Sequence, residues 1–155
     1  MATKKENSDA PASDTPEFTG EFRHRIEGKN RITIPAAWRF EEEVDLFMIR
    51  RTLEKCIAVM TRAEVRRIKA KTEGMSPAER THFLHFFGRN LRQVTLDKGG
   101  RISIPDEFCK RLGIEGEVML SGSVETFNIW NVADFEAAHP EDEERRARVL
   151  GGQGI

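Results

Sequence analysis

The sequence predicts an α+β fold made of two copies of one small unit, the second seventy residues after the first. At that offset residues 31–35, which read RITIP, fall on residues 101–105, which read RISIP. Trp38 meets Phe108 and Ile57 meets Phe127 at the same offset. Clustered matches at one fixed shift indicate an internal repeat, in which each copy is one supersecondary unit that cannot bury its apolar face alone.

Each copy begins with a short strand and a glycine-containing loop. The strands are predicted to end at Glu27 and Asp97, and alternating isoleucines then indicate a second strand. Pro35 and Pro105 suit the first turn of a short helix, since proline there loses no needed hydrogen bond. Gly113 is expected to end the second of these helices.

The remainder of each copy is predicted to be an apolar hairpin followed by a helix. The paired segments are 46–49 with 57–60, and 118–120 with 127–130. Thr61 and Glu64 are expected to form a capping box at the start of the first helix, and Asn131 and Asp134 have the equivalent spacing at the start of the second.

A further helix is predicted between the copies. Residues 76–79, SPAE, supply an N-cap, an N1 proline and a capping-box glutamate. Phe83, Leu84, Phe86 and Phe87 make this helix more apolar than a lone surface helix needs, so it is expected to pack deep between the repeats or against another subunit.

The predicted organisation has five segments. They are a disordered N-terminal arm (1–17), repeat 1 (18–72), the inter-repeat helix (73–90), repeat 2 (91–138) and a charged, Gly-rich C-terminal tail (139–155).

Composition sets bounds on function. The 25 basic and 26 acidic residues nearly cancel, so any contact with nucleic acid must come from a local basic surface. Cys56 and Cys109 lack C-x-x-C spacing and are expected to be buried thiols in a reducing compartment. No signal-peptide pattern and no apolar run of about 18 residues is present, which predicts a cytoplasmic protein.

The most distinctive motif is an acid-x-x-x-Arg block in each copy, GluGlyLysAsnArg at 27–31 (loop one) and AspLysGlyGlyArg at 97–101 (loop two). Tight reversals need positive backbone dihedrals, which glycine and asparagine tolerate. The residues predicted to shape the loops are Glu27, Asp97, Gly28, Asn30, Gly99 and Gly100. The candidate DNA-binding cations are Arg31, Arg101, Lys29, Lys98, Arg25 and Arg23.

Two roles are open for these cations on the residues alone. A lysine can neutralise a phosphate, and the planar fork of arginine can also bind guanine O6 and N7 in the major groove. Alternatively, each arginine forms a structural ion pair with the acid four positions earlier and holds the loop.

The two blocks, each followed by hydrophobic-x-hydrophobic-Pro, resemble the MraZ family of bacterial transcription regulators, within the wider SpoVT/AbrB-like group. The resemblance begins at residues 18–20, which look like the family's Phe-x-Gly start, and runs to about residue 138. It implies two tandem AbrB-like repeats that form a swapped-hairpin β-barrel with short flanking helices. The two repeats of one chain then take the places of two subunits of an AbrB-type dimer.

The resemblance also implies a function. It implies a ring-shaped homo-oligomer at the nucleoid that binds short direct repeats of double-stranded DNA upstream of the division and cell-wall gene cluster, usually as a repressor. No cofactor, membrane or small-molecule substrate is expected. The family's DNA-facing arginines correspond to Arg31 and Arg101, and its loop lysines to Lys29 and Lys98. Glu27 and Asn30 depart from the family's usual Asp and Gly.

Two other classes of function were weighed. A metalloenzyme could use His82 and His85 with Glu79, which have a suitable helical spacing, but no fourth ligand is evident. We therefore predict neither catalytic nor metal-binding residues. An AbrB-like antitoxin that folds onto a toxin would need a long apolar C-terminal tail, whereas the chain after Phe135 is charged and Gly-rich.

Overall fold

The computed structural model describes residues 16–140 and 143–155. The predicted disordered arm falls almost entirely on residues 1–15, which lie outside the described residues. The strands are β1 (Glu21–Arg25), β2 (Arg31–Thr33), β3 (Val44–Arg50), β4 (Cys56–Thr61), β5 (Arg92–Leu96), β6 (Arg101–Ser103), β7 (Glu117–Gly122) and β8 (Thr126–Asn131). The α-helices are α1 (Arg62–Lys71), α2 (Pro77–Asn90), α3 (Asp106–Leu112), α4 (Val132–Ala138) and α5 (Glu143–Gly151), and 3-10 turns span Ala36–Trp38 and Thr72–Gly74.

Six strands form one antiparallel sheet in the order β1-β7-β8-β4-β3-β5. The predicted hairpins β3–β4 and β7–β8 lie side by side, joined through β4 and β8. The first strand of each half pairs with the hairpin of the other half, β1 with β7 and β5 with β3. The two halves of the chain are therefore interleaved in one sheet.

The remaining strands, β2 and β6, pair antiparallel as a separate two-stranded ribbon. Ile32 lies opposite Ile102 at the centre of the ribbon, and Ala58 lies opposite Asn128 at the centre of the β4–β8 pair. Both β2 and β6, and both β4 and β8, begin and end seventy residues apart. Elements at the repeat offset thus occupy equivalent places in the fold.

The fold is α+β with a mostly antiparallel sheet, as predicted, but no closed barrel is formed within residues 16–140 and 143–155. The strand order ends at β1 and β5, and these two strands do not pair with each other. The physical reason is that the ribbon covers the open face of the sheet instead of joining it. Its central isoleucines, Ile32 and Ile102, are each 1% exposed and complete the core there.

The main core lies between the six-stranded sheet and the ribbon. Trp38, from the 3-10 turn, contacts the rings of Phe18, Phe22 and Phe127 at centroid distances of 4.9–5.8 Å. Its Nε1 donates to the carbonyl of Thr19 at 3.0 Å. Burying one such side chain stabilises the fold by about 1.5–3 kcal/mol. This cluster anchors the start of the chain and the end of the ribbon on the same sheet.

The capping box predicted at Thr61 and Glu64 is formed only in part. Thr61 accepts from the Glu64 backbone N–H, but the Glu64 carboxylate binds Arg67 with both oxygens at 2.8 Å.

The predicted helix starts are confirmed. The hydroxyls of Thr61 and Ser76 accept from the backbone N–H three residues later, and Ser76 and Glu79 form the full capping box. Asn131 caps α4. The predicted end is also confirmed, since Gly113 is left-handed at the C-cap of α3 (φ 63°).

The two repeat prolines lie one position earlier than predicted. Pro35 and Pro105 occupy the N-cap, and not the first helical position, of the turns that follow them.

Helix α2 lies on the outer face of the sheet. Phe87, and Leu91 just after the end of α2, pack with α1 against β3 and β4. No residue of α2 is buried, and Phe86 is 54% exposed. The prediction that α2 packs deep between the repeats is therefore wrong within a single chain. Helices α1 and α2 instead form an outer layer on one face of the sheet. No described helix is long and apolar enough to cross a bilayer.

Both cysteines are buried free thiols, as predicted. Burial raises the pKa of Cys56 to about 12, with a smaller contribution from Glu54. Burial also raises the pKa of Cys109 to about 11.

Candidate nucleic-acid interface

The ribbon separates apolar from charged side chains. Because successive residues of a strand point to opposite faces, the buried Ile32 and Ile102 leave their neighbours on the outer face. Arg31 lies opposite Ser103, and Arg101 lies opposite Thr33. The two exposed arginines are thus diagonal neighbours on one surface, a position typically about 7–8 Å apart and within reach of long side chains.

Loop one is a tight hairpin. Glu27 and Arg31 exchange backbone hydrogen bonds of 2.8 and 2.9 Å, and the Asn30 N–H donates to the carbonyl of Gly28 at 3.1 Å. Gly28 (φ 48°) and Asn30 (φ 58°) are left-handed. Asparagine tolerates this conformation better than most side chains, so it can stand where the family has glycine.

Loop two makes a related turn by different contacts. The Asp97 N–H donates to Arg101 O and the Gly100 N–H to Asp97 O, both at 3.0 Å. Here Gly100 is left-handed (φ 77°), whereas Gly99 is not. The Asp97 carboxylate accepts the Arg101 backbone N–H at 3.0 Å.

That hydrogen bond is the main reason why the pKa of Asp97 is lowered. The Arg101 guanidinium, with Nε 3.8 Å from Asp97 Oδ2, and then Arg31 lower the pKa further. The Arg101–Asp97 pair is long and about half exposed, so it contributes little as an ion pair. Arg31 forms no ion pair with any residue of the described ranges.

Each loop accepts a backbone hydrogen bond from the residue just after the ribbon strand of the other repeat. The Ile34 N–H donates to the carbonyl of Gly100 at 2.7 Å, and the Ile104 N–H donates to the carbonyl of Asn30 at 2.8 Å. Both isoleucines are almost fully buried. The exposed loops are therefore anchored to the core through two equivalent backbone bonds.

A shallow depression of about 530 Å³ opens between the loops, lined by Glu27, Gly28, Lys29, Arg31, Thr33 and Arg101. Three cations and one acid face it. Guanidinium and ammonium groups at an open surface can bind phosphate oxygens, and arginine can also form paired hydrogen bonds with a base edge.

The other predicted cations do not line this depression. Lys98 is exposed in loop two but does not line the depression. Arg25 is exposed at the end of β1. Arg23 is held by acids of the second half, at 3.1 Å from Glu136 and 4.0 Å from Glu117. The structure thus brings Lys29, Arg31 and Arg101 together at the depression and pairs Arg23 with acids of β7 and α4.

Sequence reasoning did not single out three residues that position the loops. Thr33 lines the depression, and its carbonyl accepts from His24 Nδ1 at 2.6 Å. Arg39 donates from Nε to the carbonyl of Ile34 at 2.9 Å and lies against Gly100. The glycine pair of loop two is a signal of close approach, but the sequence does not identify Arg39 as the group that approaches.

Residues considered for a metal site do not form one. Among the described residues, no three His, Cys, Asp or Glu side chains are grouped so as to hold a metal ion. Glu79 is used in the capping box of α2, and His82 packs beside Phe86.

Part of the chain matches a known protein family. The family described as "MraZ protein, putative antitoxin-like" matches residues 87–149, a segment that contains loop two and Arg101. This is a regulator-like, non-enzymatic family. The match confirms the resemblance drawn from the two motif blocks, and over residues 87–149 the chain is similar to the MraZ family.

Proposed function

We propose that this protein is a DNA-binding transcriptional regulator that holds duplex DNA with loop one and loop two. The observation that carries the proposal is the exposed face of the ribbon, where Lys29, Arg31 and Arg101 surround one open depression. The family description, which suggests a DNA-binding regulator, supports the same function.

The proposal includes two tandem AbrB-like repeats with swapped hairpins. The equal offset of β2 with β6 and of β4 with β8 supports it, as does the pairing of each first strand with the opposite hairpin. On this account the ribbon is the place where equivalent strands of the two repeats meet, and it presents one reading loop from each repeat.

The ribbon has a suitable shape for the major groove. That groove admits a two-stranded β-ribbon, and arginine forms bidentate hydrogen bonds with guanine there. Arg31 and Arg101 are the proposed base-reading residues. Lys29 and Lys98, with Arg25 and Arg23 at the margin, are proposed to contact phosphates and so fix the position of the protein on the duplex.

Because the chain has a net charge of −1, affinity for DNA must come from this local surface and not from the whole molecule. A surface with few phosphate contacts binds weakly and loses affinity as salt rises. Several identical surfaces on one assembly convert later contacts into intramolecular events, which raises the overall affinity.

We therefore propose a ring-shaped homo-oligomer that binds short direct repeats in the promoter of the division and cell-wall gene cluster and represses it, acting at the nucleoid. Head-to-tail contacts in a ring would correspond to direct repeats in the operator. The half-exposed Phe86 ring on α2 is a candidate contact between subunits.

The DNA-binding proposal is tested by gel shift with the DNA directly upstream of the protein's own coding sequence. Arg31→Ala and Arg101→Ala are each expected to weaken specific binding by about 1–3 kcal/mol, the contribution of one good bidentate contact. Arg148→Ala, which removes an exposed arginine from α5, is the charge-matched control. Unchanged binding in both loop variants would leave the arginines a structural role.

The assembly proposal is tested by light scattering. Wild type is expected at a multiple of the 17.7 kDa chain mass. Phe86→Glu is expected to lower that mass, whereas Val149→Glu, at another exposed apolar residue (60% exposed), is not. An equal mass for Phe86→Glu and wild type would exclude this part of α2 as a contact.

A further inference from the structure

The two loops are related by the repeat offset but differ in what lies beside them. In loop one the side-chain amide of Asn30 donates to Asp106 Oδ1 at 3.2 Å, and Asp106 also accepts from Lys110 at 3.0 Å. These two hydrogen bonds are the main reasons why the pKa of Asp106 is lowered, so its carboxylate is charged at neutral pH.

In loop two the position equivalent to Asn30 is Gly100, and a cation takes the place of the acid. A Cβ atom on Gly100 would lie 2.6 Å from Arg39 Cζ and 2.8 Å from Arg39 Cδ. The Arg39 side chain thus lies directly on the Gly100 backbone, where only glycine leaves room for it.

Neither neighbour is repeated at the offset of seventy. The position equivalent to Arg39 is Cys109, which is buried, and the position equivalent to Asp106 is Ala36. The lysine also differs, since it is the third residue of loop one and the second residue of loop two. Loop one therefore has a carboxylate at its flank, and loop two has an additional guanidinium.

A symmetric pair of loops would bind a DNA element equally well in both directions. In this protein, one end of the DNA element would meet Arg31, which has no ion pair within the described residues. At the other end it would meet Arg101, whose Nε lies 3.8 Å from the Asp97 carboxylate, with Arg39 nearby. Turning the DNA around would bring each end to a different set of charges, so the two orientations must differ in binding energy.

We propose that the protein binds a non-palindromic DNA element in one orientation, and that Asn30, Asp106 and Arg39 determine that orientation. This inference rests on the proposed DNA-binding function and adds the direction of binding to it. Loop two with Arg39 acts as the stronger phosphate anchor, and Arg31 of loop one is the base-reading arginine with the greater freedom to meet the DNA.

The test is directed DNA cleavage by an iron chelate attached to an introduced cysteine. Glu41→Cys and Arg111→Cys form a matched pair, since both positions are exposed and are related by the repeat offset. Position 41 lies two residues after Arg39, which contacts loop two, and position 111 lies on α3, five residues after Asp106, which contacts loop one. The native cysteines are buried, which limits attachment to the new sites.

The probe is a duplex from the DNA upstream of the protein's own coding sequence, shortened to one footprinted segment. Each chelate is expected to cut one end of the segment in preference to the other by about tenfold or more, the two chelates cutting opposite ends. Inverting the segment within its flanks should exchange the ends. Equal cutting at both ends by both proteins, with the gel shift retained, would overturn the inference and leave the proposed function standing.

A second variant tests the assigned residues. Combining Asn30→Gly, Arg39→Ala and Asp106→Ala with each chelate site is expected to bring the cutting ratio towards one, while a parallel set carrying Arg148→Ala keeps it. A ratio unchanged in the triple variant would show that other residues set the direction. Absence of any gel shift with the wild-type protein would instead contradict the proposed DNA-binding function itself.

Discussion

The carboxylate of Asp97 accepts the backbone N–H of Arg101 at 3.0 Å, and this contact holds loop two closed at its base. The same contact is the main cause of the lowered pKa of Asp97. A carboxyl group whose pKa is lower in the folded state stabilises the fold above its unfolded pKa, about 3.9, and loses that contribution as the pH falls through its folded value.

We expect Asp97→Asn to lower the thermal midpoint at pH 7. The difference from wild type should shrink as the pH falls from about 4 through the lower folded pKa of Asp97, below which the wild-type carboxyl is protonated in both states. Melting curves from pH 7 to pH 2 measure this. Glu27→Gln is the control, since in loop one the corresponding contacts are between backbone atoms. A difference that is constant with pH would show that the charge of Asp97 is not involved.

Gly100 has a left-handed backbone, and the Arg39 side chain packs against it. Gly100→Ala should therefore be destabilising for two separable reasons. The left-handed conformation costs alanine about 1–2 kcal/mol. Displacing Arg39 also costs its hydrogen bond to Ile34, worth about 0.5–1.5 kcal/mol. Denaturant unfolding of Gly100→Ala, Arg39→Ala and the double variant should show a smaller cost of alanine in the Arg39→Ala background.

Gly74→Ala serves as the reference for that cycle, because its φ is not left-handed and no atom lies within 4 Å of the added Cβ. Its free energy of unfolding is expected to stay near the wild-type value. Fully additive costs for the Gly100 and Arg39 variants would mean that the two residues do not interact.

The two tryptophans should respond differently to replacement by phenylalanine. Trp38 Nε1 donates to Thr19, whereas Trp130 Nε1 is buried with no hydrogen-bond partner among the described residues. Trp38→Phe loses a hydrogen bond worth about 0.5–1.5 kcal/mol, whereas Trp130→Phe removes a polar atom that is already unsatisfied. Chemical denaturation should therefore give the larger loss for Trp38→Phe, and an equal or reversed order would contradict this account.

The buried thiols predict slow chemical modification. With folded pKa values of about 12 for Cys56 and about 11 for Cys109, neither carries appreciable thiolate at pH 8, and both lack access to reagents. A chromogenic disulfide reagent should leave the native protein unlabelled and label two thiols per chain in guanidinium chloride. Rapid labelling of the native protein would show that one of these sites opens.

Much of the secondary structure could be predicted because its signals are local. Caps at Thr61, Ser76 and Asn131, the left-handed Gly113 and the four hairpin strands each depend on a few neighbouring residues. Two strand pairs, β2 with β6 and β4 with β8, also begin at the predicted offset of seventy residues.

Strand partners could not be predicted in the same way. Nothing near β1 in the sequence indicates that it pairs with β7, because that choice depends on how all the strands share one core. The expectation of a closed barrel came from the family resemblance and not from the residues. The cations of the loops could be named from the motif because that motif is local. The Arg39–Gly100 contact could not be predicted, because it joins a turn to a loop that is distant in the sequence.

The pairing of β1 with β7 has a consequence for synthesis of the chain. Glu21 faces Ser121, one hundred positions later, so β1 leaves the ribosome long before its partner exists. Contacts this distant in sequence make folding slow, because a large loop must close before any energy is gained. A nascent chain that stops before residue 117 lacks the native partner of β1, so β1 can take its place in the sheet only late in synthesis.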